Sequence, residues 1–371
     1  MNNQLLYNIG ITLLPGVGDI TAKNLIAYCG SAEEVFNARK SHLEKIPGAG
    51  AVMVDNLTDS DIQKDALRRA EEEIKFMQKN NISAVFFTDE NYPNRLKQCA
   101  DSPVMLYIKG KPDLNAKKII SIVGSRKSTA YGKKICEQIV EAFAPYNVLI
   151  ASGLAYGIDI TAHRASLRNN LHTVGVLAHG LEFVYPGEHT NTAEKMCENG
   201  GLISEFMSNT KMNPEYFPRR NRIVAGMSDA VIVIEATYKS GALITAEIAN
   251  SYDREVFAVP GRMDDSSSEG CNLLIKANKA MLIQSAEDVI RALNWDAENK
   301  KPKQTQRELF ANLSGEEELI VNLLKEKGNI HIDDLSIKTN LPMSKTASLL
   351  LNLEFSGVIK SLPGKVYELN N

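Results

Sequence analysis

The sequence predicts an α/β protein built on a doubly wound and mainly parallel sheet, with a smaller domain on either side. Three observations carry this. Residues 81–295 alternate short apolar, β-branched runs with helical patterns, as strands joined by crossover helices do. Residues 1–80 are short helical stretches punctuated by Pro-Gly pairs. Residues 312–371 form a compact helical end, set apart by a polar linker at 296–311 with no apolar period. The 371 residues suit two or three domains, and 44% hydrophobic content supplies real cores.

In residues 1–80, Leu14-Pro15-Gly16-Val17-Gly18 returns 32 residues later as Ile46-Pro47-Gly48-Ala49-Gly50. Each resembles a helix-hairpin-helix element, so this part is read as a helix-hairpin-helix (SAM-like) domain. Such a turn offers backbone N–H groups to a DNA phosphate. The flanks are net acidic, so a structural or protein-docking use stands equally open.

In residues 81–295 the strand candidates are 84–87, 104–108, 119–123, 148–151, 173–178, 230–234, 255–259 and 280–283. They are nearly continuous apolar runs, as buried parallel strands are. Between them, Ile135, Ile139 and Phe143 recur every four residues and mark a helix over 132–144. Doubly wound sheets bind ligands at the carboxyl ends of their strands, so the chemistry is sought there.

Three strand ends carry hydroxyl- and Gly-bearing turns into helices. Gly124-Ser125-Arg126 leads to Thr129 and Lys133 after the run 119–123. Ser152-Gly153 opens the turn after 148–151, ending at Asp159. Ser240-Gly241 follows 230–234. Phe217-Pro218-Arg219-Arg220-Asn221-Arg222 precedes that last strand and offers bidentate phosphate contacts beside a stacking face. Together they predict one anion-binding rim of turn amides and arginines. The turns are neither GxGxxG nor a P-loop, which removes support for dinucleotide binding and Walker-type ATP hydrolysis.

After the linker, helices at 315–327 and about 332–340, a third after Leu341-Pro342, and a Pro-Gly hairpin read as a winged helix. Lys345 is the only cation of its third helix, so a regulatory or protein-contact role is favoured over groove reading.

Charge sharpens the partner question. The net charge of −3, taken alone, predicts no nucleic acid. By segment, 1–80 and 312–371 are each net −2, and 81–295 balance to zero. Within that centre, 116–134 and 216–224 hold cations and no acid. A groove need only be locally positive to draw phosphates. Five scattered cysteines without a CxxC pair suggest reduced thiols in the cytoplasm. The six histidines show no metal spacing, so no metal or cofactor is expected. There is no membrane-length apolar run and no signal-peptide pattern.

At these residues the chain resembles the DprA (Smf) family of DNA-processing proteins. The likeness lies in Gly124-Ser125-Arg126, in 152–159 and 217–226, in 240–246, in Val256 to Gly261, and in Gly270-Cys271-Asn272. It implies a homodimerising, extended Rossmann-like core that binds single-stranded DNA, protects it during natural transformation and loads the recombinase RecA, with no catalytic residues. By the same resemblance Arg126 is the leading DNA contact, followed by Arg219, Arg220 and Arg222. Ser125, Thr129 and Phe217 support them, and Gly124, Lys133, Gly153, Asn221, Ser240 and Gly241 complete the expected site. Ala242 stands where the family often has Ser, and Cys271 replaces a small polar residue. The alternative is a nucleotide hydrolase of the cytokinin-activating type. It would use Glu247, but the double glycine of that family's PGGxGT signature is missing here.

Overall fold

The computed structural model describes residues 3–296 and 313–370, so nearly all of the expected linker lies outside the described residues. The N-terminal part holds α1 (Asn3–Ile11), α2 (Asp19–Cys29), α3 (Ala32–Asn37), α4 (Lys40–Leu43), α5 (Ala51–Thr58) and α6 (Ser60–Lys79). The Pro-Gly hairpins lead into α2 and α5. Gly16 and Gly48 each turn at φ 85°, a conformation glycine adopts without a Cβ penalty. Ile9, Leu25, Val35 and Leu57 are fully buried between these helices. Their core runs on under the sheet through Ile82, Phe86 and Met105.

The centre continues with β1 (Ile82–Phe86), α7 (Asn94–Lys97), β2 (Met105–Gly110), β3 (Ile119–Val123), α8 (Ala130–Ala142), β4 (Leu149–Ser152), α9 (Ile158–Arg168) and β5 (Thr173–Leu177). It closes with α10 (Thr190–Glu198), β6 (Gly200–Ser204), α11 (Tyr216–Gly226), β7 (Ala230–Val233), α12 (Gly241–Ser251), β8 (Glu255–Ala258), α13 (Glu269–Lys276), β9 (Met281–Leu282) and α14 (Ala286–Ala292). The strands form one nine-stranded sheet in the order β1-β2-β6-β5-β4-β3-β7-β8-β9. From β6 to β9 all pairings are parallel. β2 runs antiparallel to both of its neighbours, β1 and β6. Each expected run is a strand, and β6 is an addition. Its Gly200-Gly201 start looks like a turn, yet both glycines are pressed by neighbouring backbone. A Cβ at Gly200 would meet the Thr173 carbonyl, and one at Gly201 would lie 2.5 Å from the Lys109 carbonyl oxygen.

The strand order reverses at β3, which pairs with β4 on one side and β7 on the other. The crevice outside the carboxyl ends of β3 and β7 is therefore the topological switch point of the sheet.

The C-terminal unit contains α15 (Gly315–Lys327), β10 (Asn329–His331), α16 (Ile332–Thr339), α17 (Met343–Phe355), β11 (Ile359–Leu362) and β12 (Val366–Leu369). It is a winged helix whose hairpin gains β10 as a third strand, in the order β10-β12-β11. Ser314 and Glu317 form a capping box on α15. The tip of its wing touches the turn between α12 and β8: the Gly364 N–H donates to the Asp253 carbonyl at 3.1 Å, and Lys365 pairs with the Asp253 carboxylate at 2.9 Å.

Candidate nucleic-acid interface

The β3 turn is satisfied from within. Gly124 allows a close approach: a Cβ there would lie 2.6 Å from Ile158. The Ser125 N–H donates to the Glu235 carbonyl at 2.7 Å, and Ser125 Oγ accepts from the Lys127 N–H at 3.1 Å. Thr129 is the N-cap of α8, accepting from the Gly132 N–H at 3.1 Å. Its own N–H donates to the buried Glu235 carboxylate at 2.9 Å, and its hydroxyl donates to the other carboxylate oxygen. A side chain at Gly132 would fill the space this carboxylate takes. The α8 N-terminus, which the sequence offered to a phosphate, thus already holds an anion of the protein's own. Thr129→Val removes the cap and one bond to Glu235. It is expected to destabilise the fold by about 1–2 kcal/mol, read as a lower urea midpoint at unchanged slope.

The β4 turn repeats the theme. The N–H groups of Gly153 and Ala155 donate to Asp159 at 3.2 and 3.4 Å. Above them lies Arg220, whose guanidinium occupies the place a Cβ on Gly153 would take. Arg220 is buried and donates to the Val176 carbonyl. Burial lowers it to about 10, so it stays charged near neutrality. Burial also pushes the Asp159 carboxyl up, against the pull of Arg220. Gly153 makes room for an arginine, then, rather than for a ligand.

Arg222 is buried as well. It donates to the Asp101 carbonyl at 2.6 Å, to Glu205 at 2.6 Å and to Asp19 at 3.2 Å. Arg219 reaches Glu205 at 2.7 Å and Asp19 at 3.3 Å, with half of its side chain exposed, and lies over the Phe206 ring. The expectation that all three arginines meet phosphate is corrected here. Arg220 and Arg222 point inward because the carboxylates of Asp159 and Glu205 are buried beside them and need a counter-charge. Asn221 approaches the Gly241 carbonyl at 3.5 Å, and Ser240 caps α12 through the Ala242 N–H. Gly241 is exposed with open space around it.

Arg126 remains on the outside. It is exposed, and its guanidinium carbon sits 5.2 Å from the centre of the Phe217 ring, within cation–π range. The structure so joins the β3 turn to α11. Lys127 and Lys133 are exposed on the same turn and first helical turn. Sequence reasoning missed three exposed aromatics at neighbouring strand ends: Tyr156 after β4, and Phe183 and Tyr185 after β5. Tyr185 meets Phe217 edge-on at 6.3 Å. The signal was present as Phe183-Val184-Tyr185-Pro186, just past a strand end. The site therefore offers a cation, a ring beneath it and flat apolar faces alongside, which suits a chain of phosphates and bases.

Comparison with known proteins shows the family. Residues 83–294 match the family described as DNA recombination-mediator protein A, and 301–365 match the DprA winged helix domain. Protein Smf of Escherichia coli is 34% identical over 302 residues, covering 79% of this chain and 79% of that protein. The DNA processing protein DprA of Bacillus subtilis is 40% identical over 213 residues, or 57% of this chain and 71% of that one. The X-ray structure of DprA from Streptococcus pneumoniae superposes with a TM-score of 0.64 at 29% identity, covering 78% of this chain and 98% of that one. A DprA structure from Helicobacter pylori, described for its single-stranded DNA binding mode, superposes at 0.53 with 29% identity, covering 58% of this chain and 96% of that one.

Proposed function

Because this chain belongs to the DNA recombination-mediator protein A family, we propose that it binds single-stranded DNA at the rim formed by Arg126 and Phe217, protects incoming DNA and delivers it to RecA. The observation that carries the binding reading is the exposed Arg126 guanidinium held over Phe217 at the switch point of the sheet. The Helicobacter pylori relative's single-stranded DNA supports the choice of ligand. Protection and RecA delivery rest on family membership. A cytoplasmic location fits DNA handling, and no helix among the described residues is long and apolar enough to cross a membrane.

We propose that a homodimer forms along the β9 edge of the sheet. β9 is the outermost strand, and Met281 and Leu282 on it, with Leu273 on α13, are exposed. An open strand edge bearing apolar side chains favours pairing with a second copy.

Nucleotide hydrolysis is not favoured. Glu247 sits on the exposed face of α12 and pairs with Lys279 at 2.7 Å, rather than facing the rim.

Fluorescence anisotropy with a dT oligomer across a salt series tests the binding reading. The logarithm of the association constant falls by about 0.7 per log unit of salt for each phosphate contact. Arg126→Ala is expected to weaken binding by about 1–3 kcal/mol and to flatten that slope by about 0.7. Curves that overlay the wild type would remove Arg126 from the site. Adding RecA, and following the start of its filament on the bound oligomer, tests delivery separately.

A further inference from the structure

We propose that Tyr156, Phe183 and Tyr185 form a shelf that stacks unpaired nucleobases, separate in chemistry from the phosphate contact at Arg126. This rests on the reading of the rim as a single-stranded DNA site. It assigns the bases to a different part of that rim.

The three rings share one edge of the sheet. Tyr156 follows β4, and Phe183 and Tyr185 follow β5, the next strand over, beyond the β3 turn that carries Arg126. Each is 39–47% exposed, which is costly for large aromatic groups unless something covers them. Each is also braced from behind. Phe183 lies parallel to His179 at 4.3 Å with 9° between the planes. Tyr156 meets His189 edge-on at 5.1 Å, and Tyr185 meets Phe217 at 6.3 Å. Bracing fixes each ring and leaves a face for a ligand at little entropic cost. His179 is buried, and burial lowers its pKa, so it backs Phe183 as a neutral flat surface.

Charge decides the occupant. Glu182 and Glu188 are exposed on the same loop, with Glu188 beside the Tyr156 hydroxyl. They repel phosphates from the shelf, while Arg126, Lys127 and Lys133 attract them on the adjoining side. A strand laid along the rim would thus turn its backbone to the cations and its bases to the rings. Paired bases are already stacked inside a duplex and have no face to offer, so the shelf selects single strands. Ring stacking accepts any base, so sequence preference is weak.

The test compares a dT oligomer with the same oligomer carrying abasic residues, on wild type, Tyr185→Ala, Phe183→Ala, Tyr185→Phe and Arg126→Ala. Wild type should bind dT about 5- to 100-fold more tightly than the abasic strand. Tyr185→Ala and Phe183→Ala should each lose most of that preference, with abasic binding and salt slope unchanged, and Tyr185→Phe should keep it. Arg126→Ala should weaken both oligomers alike. If the alanine variants keep the wild-type preference for dT, or lose dT and abasic binding equally, the shelf is overturned. If Arg126→Ala changes neither oligomer while the alanine variants lose base preference, the shelf stands and the placement of the phosphate contact fails instead.

Discussion

Arg222→Ala is expected to cost about 3 kcal/mol of folding stability, the low end of what breaking a buried ion pair costs, although Arg222 lies in a segment that looks like a DNA-binding basic cluster. Its side chain is 9% exposed and that of Glu205 2%. One guanidinium ties together Glu205, Asp19 of the N-terminal helices and the Asp101 carbonyl. Burial already pushes the Glu205 carboxyl up, and Arg222 is the first of the two arginines that hold it down. Without Arg222 the carboxylate keeps only Arg219, which is half-exposed. Protonation of Glu205 then limits the loss and places the cost at the low end. Arg219→Ala should cost well under this, about 1 kcal/mol or less, because Arg222 remains and the lost contact is half in water. Urea midpoints of the two variants check the ordering. Equal midpoints would mean that Arg222 is not buried as described.

The second large effect is in pH. His163 is fully buried on α9. Thr173 donates its hydroxyl to the Ile150 carbonyl at 2.8 Å, so the His163 Nδ1–H must donate to Thr173 Oγ at 2.7 Å. Its Nε2 has no hydrogen-bond partner among the described residues. Burial, with His189 and Arg220 nearby, lowers its pKa to about 3. The unfolded chain takes up this proton near pH 6.5 and the folded one does not. The contribution is therefore complete above about pH 6.5 and is lost as pH falls, by about 1.4 kcal/mol per unit. That amounts to about 2 kcal/mol between pH 6.5 and 5. His163→Gln keeps a donor for Thr173 and has nothing to titrate. The fall in stability from pH 7 to 5 should be smaller in that variant by this amount. An unchanged fall would mean that His163 is charged in the fold.

The arginines show where sequence reasoning stops. The apolar runs over β3 and β7 are legible because a buried parallel strand must be hydrophobic on both faces. The exposed place of Arg126 on the rim is legible because it follows such a strand end. Arg222 is not, because the carboxylates that hold it, Glu205 and Asp19, stand 17 and 203 residues away, and charge alone does not reveal burial. Arg220 is hidden in the same way by Asp159. β6 is hidden because Gly200 and Gly201 are chosen for crowding against neighbouring strands, and a local pattern reads the same pair as a turn. The aromatic shelf is hidden because its members come from two loops that only the sheet order brings side by side.

Glu235 has a consequence for competition. Sheets of this kind usually leave the helix N-terminus at the switch point free for a small phosphate. Here the Glu235 carboxylate fills it, bonded to the N–H and hydroxyl of Thr129. On the proposed reading, a mononucleotide would find that pocket already taken and be left with the surface cations Arg126, Lys127 and Lys133. A polymer would make the same contacts and add others along the rim. Under the proposed function, affinity should therefore rise with strand length, and free mononucleotides should compete only weakly.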